Sequence, residues 1–336
     1  MSLQKEIQKT IFESQTANIW PDELFNSMAL KVFHYQLNHN TFYQQYVKSL
    51  RVNTDSITHY SAIPFLPIEF FKSQQIVCDE ITADAVCFSS SGTTGQITSK
   101  HYVNDVSVYE TSFTKGFELF YGKPSEYCIL ALLPNYLERQ GSSLVYMFNR
   151  LINDSKHPSS GFYLNNLTDL VQTIEALKKQ KQKTILLGVT YALLDLAELN
   201  VKLSNDFIVM ETGGMKGRRK EMLKEELHLY LKQKLNITAI HSEYGMTELL
   251  SQAYSKHDGI FECSPWMKVL IRDMNDPFSY VQPKKSGGVN VIDLANINSC
   301  SFIETKDLGR ITTDNKFEIL GRFDNSDLRG CNLMIQ

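Results

Sequence analysis

The residues best suited to chemistry form one short run, Ser89-Ser90-Ser91-Gly92-Thr93-Thr94-Gly95, followed by Gln96-Ile97-Thr98-Ser99-Lys100-His101. A backbone of Ser, Thr and Gly folds tightly around phosphate oxygens, offering N–H groups and hydroxyls without side-chain bulk. Lys100 adds a positive charge. The apolar run Ala85-Val86-Cys87-Phe88 before it predicts a strand, and a strand end is the usual ligand position in an open α/β sheet. The pattern is not a Walker loop, which needs Gly-Lys-Ser/Thr in direct succession, nor a dinucleotide fingerprint. A solvated turn is the plain alternative. Seven consecutive residues drawn only from Ser, Gly and Thr, then Lys-His, favour a phosphate grip.

Three later segments offer companion chemistry. In Phe207–Arg219, Gly213 and Gly214 would let a flat base approach, and Lys216, Arg218, Arg219 and Lys220 open a helix read over 217–235. Cations at a helix N-terminus oppose the macrodipole unless an anion sits nearby. In Ser242-Glu243-Tyr244-Gly245-Met246-Thr247-Glu248, Tyr244 beside Gly245 suits stacking on adenine. Thr247 suits a phosphate contact, and Glu248 suits Mg²⁺ through hard oxygen ligands. Near the end, Asp307 in Thr305–Ile311 has the lone pairs to accept both ribose hydroxyls. Arg322 in Gly321–Cys331 would support it. Each segment alone also reads as an ordinary turn or helix start.

The elements that must position these residues follow from periodicity. Residues 3–50 carry helical spacing rich in aromatics, with Pro21 placed to open a second helix. Pro64 and Pro67 then forbid a regular helix through Ser61–Ser73. Strands are predicted at 85–89, 127–133, 184–189, 207–211, 237–241, 267–272, 289–293 and 316–320. Helices are predicted near 105–120, 141–153, 168–181, 190–199 and 217–235. This alternation implies α/β architecture with mostly parallel strands covered by helices. The expected organisation is one unit over 1–336: a helical entry region at 1–84, an α/β nucleotide-binding part at 85–255 and a β-rich subdomain at 256–336.

The chain has 336 residues and a formal net charge of -3, so no global field draws nucleic acid or anionic membrane, and any basic site must be local. The six cysteines show no Cys-x-x-Cys spacing, which argues against a zinc knuckle or disulfide framework and for reduced, cytoplasmic thiols. The N-terminus lacks the pattern of a signal peptide. No window approaches the ~20 apolar residues of a membrane span.

Taken in order, the Ser/Thr/Gly loop with its lysine, the Gly213–Gly214 turn, Tyr244–Glu248, Thr305–Arg310 and Gly321–Asp324 resemble the adenylate-forming superfamily of acyl-CoA synthetases, luciferases and peptide-synthetase adenylation domains. Within it, Leu133–Met147, Glu211–Arg219, His241–Leu249 and Gly321–Gln336 look most like the acyl-protein synthetases of bacterial bioluminescence fatty-acid-reductase complexes. The resemblance implies the N-terminal-domain fold of these enzymes, without the C-terminal lid of larger relatives and its lysine. It also implies ATP and Mg²⁺, and activation of a carboxylic acid, expected to be a fatty acid, to acyl-AMP. Transfer to an enzyme cysteine follows, with reductase or acyltransferase subunits as partners. It places the acylated cysteine near the end of the chain, at Cys331, where Arg329 would favour thiolate; the alternative for Cys331 is a small buried hydrophobe. In the implied site the loop Ser89–Thr94 and Lys100 grip the β- and γ-phosphates, Thr247 meets the α-phosphate, and Tyr244 and Gly213–Gly214 sandwich the adenine. Two other readings stay open: a CoA-forming ligase of the phenylacetate–CoA type, and a non-catalytic nucleotide-binding partner subunit.

Overall fold

The computed structural model describes residues 3–13, 20–90, 97–134, 141–213, 222–312 and 316–323. Helices α1 (Leu3–Glu13), α2 (Asp22–His39) and α3 (Thr41–Ser49) come first. Pro21 does precede α2, and Asp22 and Glu23 in its first turn suit the positive end of the helix dipole. A two-residue strand β1 (Leu66–Pro67) and the single turn α4 (Phe70–Ser73) follow. Next come β2 (Val86–Ser89) and β3 (Lys100–Val103), which pair only with each other, antiparallel, Ser89 opposite Lys100. The phosphate-grip candidate therefore joins the two strands of a hairpin, not a parallel strand and its helix. Strand β3 was not foreseen because it carries a lysine and a histidine within only four residues.

Strand–helix alternation then runs as the periodicity predicts: α5 (Val106–Tyr121), β4 (Cys128–Leu132), α6 (Ser143–Ser155), β5 (Gly161–Phe162), α7 (Leu167–Gln180), β6 (Thr184–Val189), α8 (Thr190–Glu198), β7 (Phe207–Thr212), α9 (Lys224–Leu235) and β8 (Ile240–Tyr244). Strands β5-β4-β6-β7-β8 are parallel neighbours in that order. Both β4 and β6 are buried at every position, as expected of strands covered on both faces. Local caps set the helix starts: Asp105 accepts from the Ser107 amide at 3.0 Å, and Ser142 from the Val145 amide at 3.4 Å. Helix α9 begins at Lys224, so Met222 and Leu223 stand outside it, and its first turn carries Glu225 and Glu226. The helix expected from 217 thus starts at Lys224, with Glu225 and Glu226 next to it in the first turn. Lys216, Arg218, Arg219 and Lys220 lie outside the described residues.

The remaining strands are β9 (Ala253–Ser255), β10 (Ile260–Cys263), β11 (Met267–Arg272), β12 (Gly287–Asp293), β13 (Phe302–Ile311) and β14 (Phe317–Arg322). They continue the same sheet in the order β8-β9-β10-β14-β13-β12-β11, all antiparallel, with β1 laid parallel on β13. The join is thin: β10 pairs with β14 through Ile260 and Phe261, and with β9 through Glu262 and Cys263. The β-rich region is therefore a bonded extension of the parallel half. Two boundaries matter for the site. Ser242, Glu243 and Tyr244 lie inside β8, which was expected to end at 241, and Asp307 lies inside the unforeseen β13, directly opposite Arg322.

Buried polar side chains tie distant segments together. Asp293 at the end of β12 accepts from the amides of Leu250 (2.7 Å), Ser251 (2.9 Å) and Ala295 (3.1 Å) and from the Ser251 hydroxyl (2.5 Å). Gln36 of α2 donates to the carbonyls of Asn296 and Ile297 and accepts from the Ser301 amide. Stranding several buried donors costs about 1–3 kcal/mol each. Asp293→Ala is accordingly expected to lower unfolding free energy by at least about 3 kcal/mol in urea titrations, whereas a loss under 1 kcal/mol would show that water replaces the carboxylate.

Candidate active site

A cavity of about 170 Å³ opens where the parallel strands end. Leu133 follows β4, Val189 ends β6, Thr212 ends β7 and Glu243 lies one residue from the end of β8; all four line it. The carboxyl ends of such strands are where open α/β sheets bind ligands. Ser142, Ser143, Leu144 and Val145 contribute the first turn of α6, which carries no acidic side chain, so its positive end faces the cavity.

Of the residues singled out in the sequence, Ser89, Gly213, Gly245 and Thr247 line this cavity. Gly213 holds φ +70°, a left-handed conformation suited to glycine, and its carbonyl accepts from the Thr190 hydroxyl at 2.8 Å. The Ser89 amide donates to the Gly141 carbonyl at 2.7 Å, tying the hairpin to the approach to α6. The Ser90 amide donates to the Ser99 carbonyl at 3.1 Å, and the Ser99 amide to the Ser90 hydroxyl at 2.9 Å. Ser91, Gly92, Thr93, Thr94, Gly95, Gly214 and Cys331 lie outside the described residues.

Strand geometry separates the others. Neighbours in a strand face opposite ways, and in β3 it is His101 that turns inward while Lys100 is exposed. Lys100 does not line the cavity. In β8, Glu243 faces the cavity and Tyr244 the other side, where its ring packs against Phe261 and Phe317. The structure does not place Tyr244 opposite Gly213 across an open slot. Instead its hydroxyl donates to Asp307 Oδ2 at 2.8 Å, while Arg322 Nε lies 3.1 Å from Oδ1. Three motifs far apart in sequence thus meet at one carboxylate. Burial raises the Asp307 pKa, opposed by the Arg322 charge and the Tyr244 hydroxyl.

Glu248 is buried beside the hairpin. Burial pushes its carboxyl up, opposed by hydrogen bonding with Ser99 and by the charges of Arg322 and Lys72. Among the described residues no cluster of three or more metal-ligating side chains occurs. A single buried carboxylate whose ionisation a cation would favour still fits Mg²⁺, which is held by one or two carboxylates together with substrate phosphates. The backbone of this segment is fixed from behind. His101 Nδ1 lies 2.8 Å from the Thr247 carbonyl, which only accepts, so Nδ1 carries the proton. Its Nε2 lies 3.1 Å from Asn296 Oδ1, and Asn296 Nδ2 donates to the carbonyls of Glu248 and Cys300, both at 2.8 Å.

The sequence reading passed over Glu243, Thr212 and Gln252, which also line the cavity. The Thr212 hydroxyl donates to Glu243 Oε2 at 2.6 Å. A Cβ at position 245 would come within 2.5 Å of Glu243 Oε1, so a glycine after Tyr244 leaves room for the carboxyl. On the opposite face of the same strands, Glu211 meets Lys224 at 3.0 Å and His228 at 3.7 Å. Burial favours protonation of Glu211, but the His228 and Lys224 contacts outweigh it and hold Glu211 at about 2. Period-two alternation from Tyr244 could have flagged Glu243, but only with the strand boundary placed correctly.

The fold is that of the adenylate-forming enzymes. MatB of Rhodopseudomonas palustris, solved with ATP bound, superposes with TM-score 0.53 at 17% identity over 70% of this chain and 47% of its own, so this chain spans about half of MatB's length. A 2-hydroxyisobutyryl-CoA ligase, solved with 2-HIB-AMP, superposes with TM-score 0.69 at 13% identity, covering 93% of this chain and 72% of its own. Residues 2–336 match the model of the acyl-protein synthetase family LuxE, and the chain belongs to that family. No curated protein matches it.

Burial raises Glu243 to about 7 from 4.5, opposed by the Thr212 hydroxyl and reinforced by the Glu211 charge. A folded-state pKa above the unfolded one means the fold binds the extra proton, so this group's contribution falls as pH rises from 4.5 to 7, by up to about 3 kcal/mol. His101 works oppositely. Burial lowers it to about 4, against two acceptors that favour its protonation, so the unfolded chain takes up the proton first and stability rises from pH 4 to 6.5. The two trends overlap, so the useful quantity is the difference between variants. Relative to the parent, Glu243→Gln is expected to gain up to about 3 kcal/mol between pH 4.5 and 7 in denaturant titrations; a difference that does not change with pH would mean Glu243 keeps an ordinary carboxylate pKa.

Proposed function

We propose that this chain activates a carboxylic acid with ATP and passes the acyl group to a protein thiol. In the first step a carboxylate oxygen attacks the α-phosphorus, and the bond to the β-phosphate oxygen breaks to release pyrophosphate. In the second, a thiolate attacks the acyl-AMP carbonyl, and the C–O bond to AMP breaks. The observation that carries the reading is the cavity at the strand ends, bordered by Ser89, Gly213, Gly245 and Thr247 from three separate motifs. Membership of the acyl-protein synthetase family supports the acyl-transfer half.

In this reading the Ser/Thr/Gly loop carried by the β2–β3 hairpin and Thr247 offer fixed donors to phosphate oxygens as negative charge spreads, the largest kind of contribution in such reactions. Glu248 would hold Mg²⁺, which when bound neutralises phosphate charge. Asp307 would accept the ribose hydroxyls through lone pairs left over from Tyr244 and Arg322, since a carboxylate has about four acceptor sites. Tyr244, which faces away from the cavity, would orient Asp307 and not border the base. The resemblance implies a fatty acid as substrate, Cys331 as acceptor, and a reductase or acyltransferase as the protein that takes the acyl group onward. CoA as acceptor is the competing outcome, separated by product analysis with and without CoA.

Two experiments test the two halves. Glu248→Gln is expected to lower acid-dependent ATP–pyrophosphate exchange by ~10²-fold or more, whereas Lys100→Ala, with an outward side chain, should lower it less than tenfold; exchange unimpaired in Glu248→Gln would remove that residue from the site. Cys331→Ser is expected to form acyl-AMP while losing hydroxylamine-sensitive labelling by radioactive acid. Label retained on that variant would place the acceptor elsewhere.

A further inference from the structure

Thr247 and Glu248 lie past the end of β8, and the hairpin that carries Ser89 and Lys100 pairs with no strand of the main sheet. Strand ladders therefore set the position of neither element. Side chains at the turn Leu294–Asn296 and its cap Asp293 hold the first: Asp293 accepts from the amides of Leu250 and Ser251, and Asn296 donates to the Glu248 carbonyl at 2.8 Å. The hairpin is held on its β2 side by the Ser89 amide, which donates to the Gly141 carbonyl, and by the Phe88 ring against Tyr109 and Tyr146. On its β3 side one ring joins it to the other element. His101 is fully buried, lies edge-on to Phe71, and donates from Nδ1 to the Thr247 carbonyl at 2.8 Å. Two residues before it, Ser99 hydrogen-bonds the Glu248 carboxyl.

The two nitrogens of this ring face different demands. Nε2 looks at Asn296 Oδ1, 3.1 Å away, whose amide already donates to two carbonyls. Nδ1 meets the main chain of Thr247, a cavity-lining residue 146 positions later in sequence. A donor at that one place fixes the distance between the hairpin and the backbone that carries both Thr247 and Glu248. We propose that His101 is a positioning residue for acyl-AMP formation, its Nδ1–H holding the Thr247 carbonyl so that the Thr247 hydroxyl and the Glu248 carboxyl stand in register with the hairpin. The assignment rests on the acid-activating reading of the site. His101 itself touches neither substrate nor metal in it. Its effect is through geometry, and a misplacement of about 1 Å at reacting groups costs on the order of 10²-fold in rate. A side chain that merely filled the space beside Phe71 would not meet this demand, since the donor must sit at the δ position.

The test compares side chains that offer the donor at different places. Asparagine puts its Nδ2 where the ring has Nδ1, whereas glutamine reaches the Nε2 position instead. His101→Asn is therefore expected to keep kcat of ATP–pyrophosphate exchange within about threefold of the parent, while His101→Gln and His101→Leu lower it by ~10-fold or more and raise the Mg²⁺ needed for half-maximal rate, with KM for the acid little changed. Urea titration of each variant separates a defect of the fold from one of the site. Activities that simply follow stability, with asparagine no better than glutamine, overturn the proposal. A second measurement needs no variant to fold. In parent protein carrying isotope-labelled histidine, the NMR signal of the His101 Nδ1–H, recognised by cross-relaxation with the Phe71 ring, is expected to shift when ATP and Mg²⁺ bind. A signal unmoved at saturation overturns the proposal as well. A shift with no exchange for any acid supports the positioning role and removes the acid-activating reading instead; a parent chain that binds no ATP removes both.

Discussion

The site depends on one buried joint, in which the ring of His101 and the amide of Asn296 hold the carbonyls of Thr247 and Glu248. The β2–β3 hairpin shares no strand pairing with the main sheet, so strand hydrogen bonds cannot fix its position over the cavity. His101, one residue from the Ser/Thr/Gly turn's far strand end, supplies that fix across 146 residues of sequence. Phe71 packs edge-on against the same ring, at 5.7 Å. The joint is backed in turn by Gln36 of α2, which holds the loop carrying Asn296. The N-terminal helices thus act on the site through two layers of buried amides, with no contact of their own to the cavity.

Buried polar networks of this kind are favourable only when fully satisfied. Asn296 satisfies its own N–H groups by donating to two carbonyls, which leaves its Oδ1 toward the histidine ring. The ring then faces two acceptors while a neutral imidazole has one proton to give. The Thr247 contact is the shorter and takes it. Burial opposes a second proton, so the His101–Asn296 contact is the strained member of the set.

The parallel half of the fold was legible because its strands are unbroken apolar runs and its helices carry a clear 3.6-residue period; β4, β6, β7, α5, α6, α7 and α8 start or end within about two residues of the reading. The antiparallel half was less so. β13 contains Lys306, Asp307 and Arg310 in ten residues, so hydrophobicity hides a strand whose polar residues meet Arg322, Tyr244 and Glu318. The motif residues were found as types, but their facing was not, since facing depends on strand boundaries. Placing the end of β8 at 241 instead of 244 turned Glu243 into a loop residue and gave Tyr244 an open face. Reading β3 as loop likewise hid that Lys100 and His101 face opposite ways.

The two faces of β7 and β8 show why that distinction has chemical weight. Glu211 and Glu243 sit one strand apart, each buried, yet one is held near 2 and the other near 7. Burial pushes both upward; the difference is that Glu211 has a lysine and a histidine from α9 on its side, whereas Glu243 has a threonine hydroxyl and the cavity. A cavity-lining carboxyl with no cation partner among the described residues is open to the charge of whatever enters the cavity. Under the proposed function, an anionic substrate carboxylate placed close to it would raise it further, so that reading directs the acid's carboxylate away from Glu243, toward the positive end of α6. In that reading the orientation of the substrate follows from where the protein tolerates a second negative charge.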